Sequence, residues 1–347
     1  MALPLDQSKS PTHRRTVLFF AIFSVLLLAS LPACADAVLL LEEPINLLGH
    51  LTYAGHSAIL LDRLCSDNHI QVRLCRADEF GTVIGRYQGA NGYDWLAMDP
   101  VAYVYSVDSL DQVPASIDQS RAAALRESYR ATHQSSFPKP PREKTWEELV
   151  GASYRRRIIG IHIRTTDEQN LRLMAWLNSR KNQSHFNLFF SNCSDFVRQA
   201  LNVLYPGSSH RNILFDAGIT TPKQLASSLH HYSKKHPEID FQLFVIPQVL
   251  GNIPRSDQIY GVTESFVKTK PYLLPIGVLQ PLGIGCVAAS ALMDKRYNIR
   301  SESRKAPTLT SIQSEIDELT DSVSRTPNDK IEPVVLCDTG TGGRPSQ

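Results

Sequence analysis

Apolar and polar positions change their period several times along the chain, and each change predicts an element. Residues 57–64 and 69–74 are partly alternating apolar runs around the polar trio Ser66-Asp67-Asn68, the pattern of a β-hairpin. Residues 101–107, VAYVYSV, are β-branched and aromatic and read as a strand. Residues 157–165, RIIGIHIRT, and 240–250, DFQLFVIPQVL, read as strands too, the first of them buried.

Helical stretches stand between them. Residues 116–133 are helical by propensity. A helix starting near Thr166 carries the Thr-x-x-Gln form of a capping box, and Pro222 after Thr221 opens a short amphipathic one. The sharpest pattern follows Asn192-Cys193. Phe196, Val197, Ala200, Leu201 and Leu204 fall at i+3, i+4, i+7, i+8 and i+11 from Cys193, one face of a helix whose N-cap is Asn192. Asp195 at its third position only approximates a capping box. Residues 135–144 are a Pro-rich loop, and from about residue 301 the Ser/Thr/Pro/charge-rich composition predicts disorder.

The N-terminus directs the chain out of the cytoplasm. Arg14 and Arg15 precede an uncharged apolar run, residues 16–33, with a small-residue exit at Ala35-Asp36-Ala37. This is the layout of a secretory signal peptide cut before Val38. Residues 31–34, LPAC, also resemble a lipobox with Cys34 as the acylated residue, and the run is long enough to remain as an anchor. Residues 272–293 carry no charge and are flanked by lysine and arginine, so they could span a bilayer; two prolines and three glycines allow a buried hairpin equally.

Charge changes the picture by exclusion. A net charge of +2 leaves no basic footprint for nucleic acid, and the run Arg155-Arg156-Arg157 reads as a solvated turn. Six cysteines in 347 residues are too few for a disulfide scaffold, although Cys65 and Cys75 flank the predicted hairpin and could pair. No spacing of cysteine or histidine suggests a metal site, and no cofactor is expected.

Cys193 is left as the residue with chemistry. In the first turn of a helix, unsatisfied N–H groups and the macrodipole favour an anion, which lowers a thiol's pKa and can also hold an oxyanion. Filling the core under the helix is the bland alternative. A thiolate needs a base, and His56 is the best placed: it follows Gly55, opens an apolar strand, and shares a face with Ala58 and Leu60. His50 lies in less regular sequence, His162 reads as a core histidine, and His230, His231 and His236 read as solvent-facing.

Gly55-His56 leading into a strand, and later Asn192-Cys193-Ser194-Asp195-Phe196-Val197 opening a helix, resembles the circularly permuted NlpC-type papain fold. The likeness extends to the lecithin:retinol acyltransferase-like proteins, with their Asn-Cys-Glu-His-Phe-Val motif, and to exported bacterial proteins with Gly-His and Asn-Cys motifs. Ser194 departs from the motif's Glu. The resemblance implies an α+β fold, an antiparallel sheet packed on the cysteine helix, and an acyl-enzyme formed on Cys193 with His56 as proton carrier. It also implies a third, orienting residue on the strand paired with that of His56. His69 matches the family's second histidine in type, and Gln71 would share the His56 face if the hairpin closes at residues 66–67.

The expectation is therefore an exported, envelope or periplasmic cysteine hydrolase. Its parts are a signal or anchor at residues 1–37, a permuted papain-like domain with insertions at 38–270, an apolar segment at 271–295 and a tail at 296–347. Its catalytic residues are Cys193 and His56, with His69 or Gln71 third, and Asn192 caps the helix and aids the oxyanion. The substrate is a cell-wall peptide amide, or a lipid-derived acyl group handled by a membrane-associated enzyme. The competing class is a non-catalytic envelope scaffold retaining the fold.

Overall fold

The computed structural model describes residues 35–45, 55–77, 79–183, 186–268 and 297–309. The architecture is α+β. Six antiparallel strands form one sheet in the order β6-β5-β2-β1-β7-β8: β1 (Ala35–Glu42), β2 (His56–Leu61), β5 (Thr82–Gly85), β6 (Leu96–Met98), β7 (Ile158–Thr165) and β8 (Gln242–Ile246). A two-stranded ribbon, β3 (Leu64–Cys65) with β4 (Arg73–Leu74), stands apart and is closed by a Cys65–Cys75 disulfide.

β1 is buried because it lies between β2 and β7, and its alternation divides the core. Ala37, Leu39 and Leu41 face one layer with Ile59, Leu61, Ile161 and Ile163. Packed on it are α5 (Asp167–Ser179), α6 (Cys193–Leu204) and α8 (Pro222–Ser233), through residues such as Leu173, Phe196, Leu201 and Leu225. Val38 and Leu40 face the opposite layer with Ala58, Val83 and Ile158. That layer holds α1 (Pro100–Tyr105), α2 (Gln119–His133), α3 (Trp146–Leu149) and α4 (Ala152–Arg155), packed through Tyr103, Tyr129 and Trp146. Remaining helices are α7 (Ile213–Asp216), α9 (Val262–Lys268) and α10 (Ile299–Lys305).

Two sequence expectations change here and a third holds. Residues 101–107 form helix α1 with its C-cap, not a strand. The Asp99 carboxylate caps the N–H groups of Val101 and Ala102, Pro100 takes the first position, and these local signals override β propensity. The hairpin around Ser66-Asp67-Asn68 joins β3 to β4, not β2 to β4; β2 instead pairs with β1 and β5. The helix predicted at Thr166 has its capping box, with Thr166 and Gln169 bonding each other's backbone.

β1 also passes through the expected signal exit. Ala37 is buried and sits between Leu61 and Ile163, so a cut before Val38 would remove three residues of a central strand. Residues 1–34, including Cys34, lie outside the described residues, as do His50, Cys286, Cys337, residues 272–293 and the tail from residue 310. Among the described residues, no helix is long and apolar enough to cross a membrane.

Candidate active site

The site begins at Gly55. Its φ of +75° suits glycine, and a Cβ there would lie 2.1 Å from the Glu42 carbonyl oxygen. Glycine thus lets β2 start against the end of β1, with His56 directly opposite Glu42. Directly opposed residues project to the same face of a sheet, so Glu42 and His56 are side-chain neighbours. That face is the one bearing Ala58, and it meets α1–α4, whereas the Cys193 helix packs on the other. The expectation that His56 would look into the interior beneath α6 is therefore corrected. As the first residue of β2, His56 meets Cys193 at the end of the sheet.

α6 reaches that end through its cap. Asn192 Oδ1 accepts the Asp195 N–H at 2.9 Å, while its Nδ2 donates to Leu188 O at 3.0 Å and Thr220 O at 3.1 Å. Both amide hydrogens are thus used, which removes the Asn192 side chain as an oxyanion donor and leaves it as cap and joint. The Cys193 N–H, in the first turn, has no intrahelical acceptor. Ser194 Oγ lies 2.9 Å from Ser57 Oγ, pinning the helix start to β2. Arg86, ion-paired to Asp94 at 2.6 Å, donates to Ser191 Oγ at 3.0 Å and holds the approach to the cap. Asp195 is wholly buried, and one of its oxygens accepts from Thr220 Oγ1 at 2.6 Å and Arg211 Nη2 at 2.8 Å.

Cys193 is partly exposed on a cleft of about 780 Å³ whose lining also includes His56, Tyr87, Glu148 and Asn192. The His56 ring is buried and stacked on Tyr87, with centroids 5.1 Å apart. Burial alone would lower its pKa. The charge of the Cys193 thiolate and its hydrogen bonding to the ring, with Glu42 and Glu148 behind, raise it instead to about 9. Burial likewise opposes ionisation of the thiol. His56 charge and hydrogen bonding, the Ser57 backbone and the Ser194 hydroxyl overcome it and bring Cys193 below its ordinary value. Each group thus favours the charged form of the other.

The charges behind His56 were not legible as a site. Glu42 is buried and accepts from Tyr103 Oη and from Arg156 Nη1, the latter at 2.8 Å; Arg156 also reaches Glu148 at 3.3 Å. Two carboxylates against one guanidinium leave excess negative charge beside the imidazole. Arg156 is buried, which corrects the reading of residues 155–157 as a solvated turn. Its burial could have been suspected only from knowing that Glu42 enters the same layer, which is a matter of register.

The two candidates for an orienting residue lie elsewhere. His69 Nδ1 donates to Ala97 O at 2.8 Å, Nε2 is 2.7 Å from Ser136 Oγ, and the ring stacks on Phe137. It stands against β6, two strands from β2, about 10 Å away in the sheet. Gln71 is exposed and accepts from Asn68 Nδ2 in its own turn. Both were assigned on a hairpin that does not include β2. His56 Nε2 is buried without a hydrogen-bond partner among the described residues, so the ring is held by stacking and by charge. His162 is satisfied by Asp36 at 3.1 Å, and His230 packs against Tyr297 instead of facing solvent. Among the described residues the tightest group of potential metal ligands is Cys65, Cys75 and Glu79, whose cysteines are joined to each other.

No protein-family model, curated protein or solved structure matches the chain.

Proposed function

We propose that this is an exported cysteine hydrolase of permuted papain-like type, working in the cell envelope on an amide bond such as that of a cell-wall peptide. The observation that carries the reading is geometric: Cys193 opens α6 and His56 opens β2 on one cleft, where the two groups interact so that the thiol is lowered and the imidazole raised. Buried structural cysteines show the opposite shift, because burial alone favours the thiol.

The Cys193 thiolate attacks the carbonyl carbon, and the oxyanion that forms is held by the Cys193 N–H at the helix start. His56, already protonated, gives its proton to the leaving nitrogen as the C–N bond breaks, and the acyl group remains on sulfur as a thioester. Neutral His56 then takes a proton from the incoming water as oxygen attacks the thioester. Collapse expels the thiolate, releases the acid and restores the imidazolium. Glu42 and Glu148 favour the protonated ring at the start of each cycle, taking the part assigned in advance to His69 or Gln71.

A second reading, acyl transfer or hydrolysis on a lipid-derived ester, is favoured by Leu188 and Phe189 in the cleft wall. Incubation with amide-linked stem peptides and with acyl esters, followed by intact mass measurement, tests both. An acyl adduct on Cys193, absent in Cys193→Ala, is expected from the amide substrate. Adduct from the ester alone would select the second reading. No adduct and no product from either would leave a non-catalytic scaffold.

A further inference from the structure

Beside the cleft, the chain exposes large apolar side chains at two adjoining tips. A turn closed by reciprocal backbone bonds between Asn187 and Ser191 carries Leu188, Phe189 and Phe190, which are 53%, 54% and 64% exposed. Ile213, 83% exposed, opens α7. The tips are joined by Arg211, which donates to Phe190 O at 2.8 Å and lies over the Phe190 ring. We propose that these tips form a membrane-contacting surface that seats the mouth of the cleft on an anionic bilayer.

Three observations favour lipid over a protein partner. First, the turn has little polar backbone to desolvate: Asn187 Oδ1 accepts from the N–H groups of Phe189 and Phe190, Leu188 O accepts from Asn192, and Phe190 O from Arg211. Backbone satisfied from within can enter an apolar phase at small cost. Second, the cleft beside the apolar tip carries cations. Arg211, beside Phe190, is paired to Asp195, but Arg142 and Lys144 line another wall of the cleft without an ion-pair partner among the described residues. This pairing of apolar tip and basic cleft wall matches lipid headgroups over acyl chains.

Third, the chain runs toward the uncharged residues 272–293 from this same place. Val262 N–H donates to Asp216 Oδ1 and Thr263 Oγ1 to Phe215 O, so α9 starts on α7. α9, seven residues or about 10 Å long, thus starts against the helix that Ile213 opens, and the chain described there ends at its last residue, Lys268. Chemistry at Cys193 is not required for any of this; an inactive protein would dock the same way.

The test is a tryptophan placed at the tip of the full chain, as Phe190→Trp and, separately, Ile213→Trp. Each is mixed with phosphatidylcholine–phosphatidylglycerol vesicles whose lipids carry bromine on the upper acyl carbons. Both indoles are expected to shift to shorter wavelength, lose emission to the bromines and escape aqueous iodide. An indole still quenched by iodide on vesicle-bound protein would overturn the proposal. So would an indole shielded before vesicles are added, which would mean that residues 272–293 or a second copy covers the tip.

Discussion

His56→Ala should raise the pH at which Cys193 ionises, and the size of the effect is bounded by the site. Charge and hydrogen bonding raise the imidazole from 6.5 to about 9, against burial. At 1.36 kcal/mol for each tenfold step, that is roughly 3 kcal/mol in favour of the charged ring. The interaction is reciprocal, so removing the ring takes a comparable stabilisation from the thiolate. The Cys193 inflection should therefore rise and alkylation at pH 7 should slow, by at most the roughly hundredfold that about 3 kcal/mol allows.

Iodoacetamide labelling across pH, read by mass spectrometry on the peptide containing Cys193, measures this apart from the other cysteines. Wild type is expected to react well below the ordinary thiol value of about 8.5, and His56→Ala only above it, since burial then acts unopposed. Catalysis has a second limb. His56 holds its proton below about 9 and loses it above, so turnover should fall as pH rises through that value while alkylation does not. Inflections near 8.5 in both proteins would refute the coupling and the mechanism built on it.

Glu42→Gln leaves buried Arg156 with Glu148 alone; it should cost about 3 kcal/mol in urea unfolding and move the alkaline limb of turnover downward. Leu201→Ala, wholly buried beneath the sheet, should cost about 2–5 kcal/mol, read as a lowered thermal midpoint. Replacing Cys65 and Cys75 with serine should cost roughly 3 kcal/mol from the loop they close, and reductant should lower the wild-type melting temperature without affecting the double variant. N-terminal sequencing of the mature protein should find Ala37 retained, because β1 needs it between Leu61 and Ile163.

Much of the cysteine side of the site was legible because it is local. A five-residue apolar face and an Asn cap lie within one helix, and the helix runs Cys193–Leu204 with Phe196, Val197, Ala200, Leu201 and Leu204 buried. Gly55 was legible as a conformational requirement, although the carbonyl it makes room for was not. The histidine side depends on strand pairing. A hairpin drawn from β2 made His69 and Gln71 neighbours of His56, whereas the sheet sets β1 there and brings Glu42. Nothing in the spacing of Glu42, Tyr103, Glu148 and Arg156 predicts that they converge; only the two-layer packing does. α1 was lost for a different reason, since its side chains suit a strand and only Asp99-Pro100 marks a helix.

The Cys65–Cys75 bridge carries a consequence for the other sulfur. In the proposed exported setting this bond forms where thiols are oxidised, yet the proposed chemistry needs Cys193 reduced. A lowered pKa favours oxidation of Cys193 by peroxide to a sulfenic acid. Among the described residues there is no second free thiol to condense with it. A thiol from the rest of the chain or from an external dithiol is what returns that state to the thiolate.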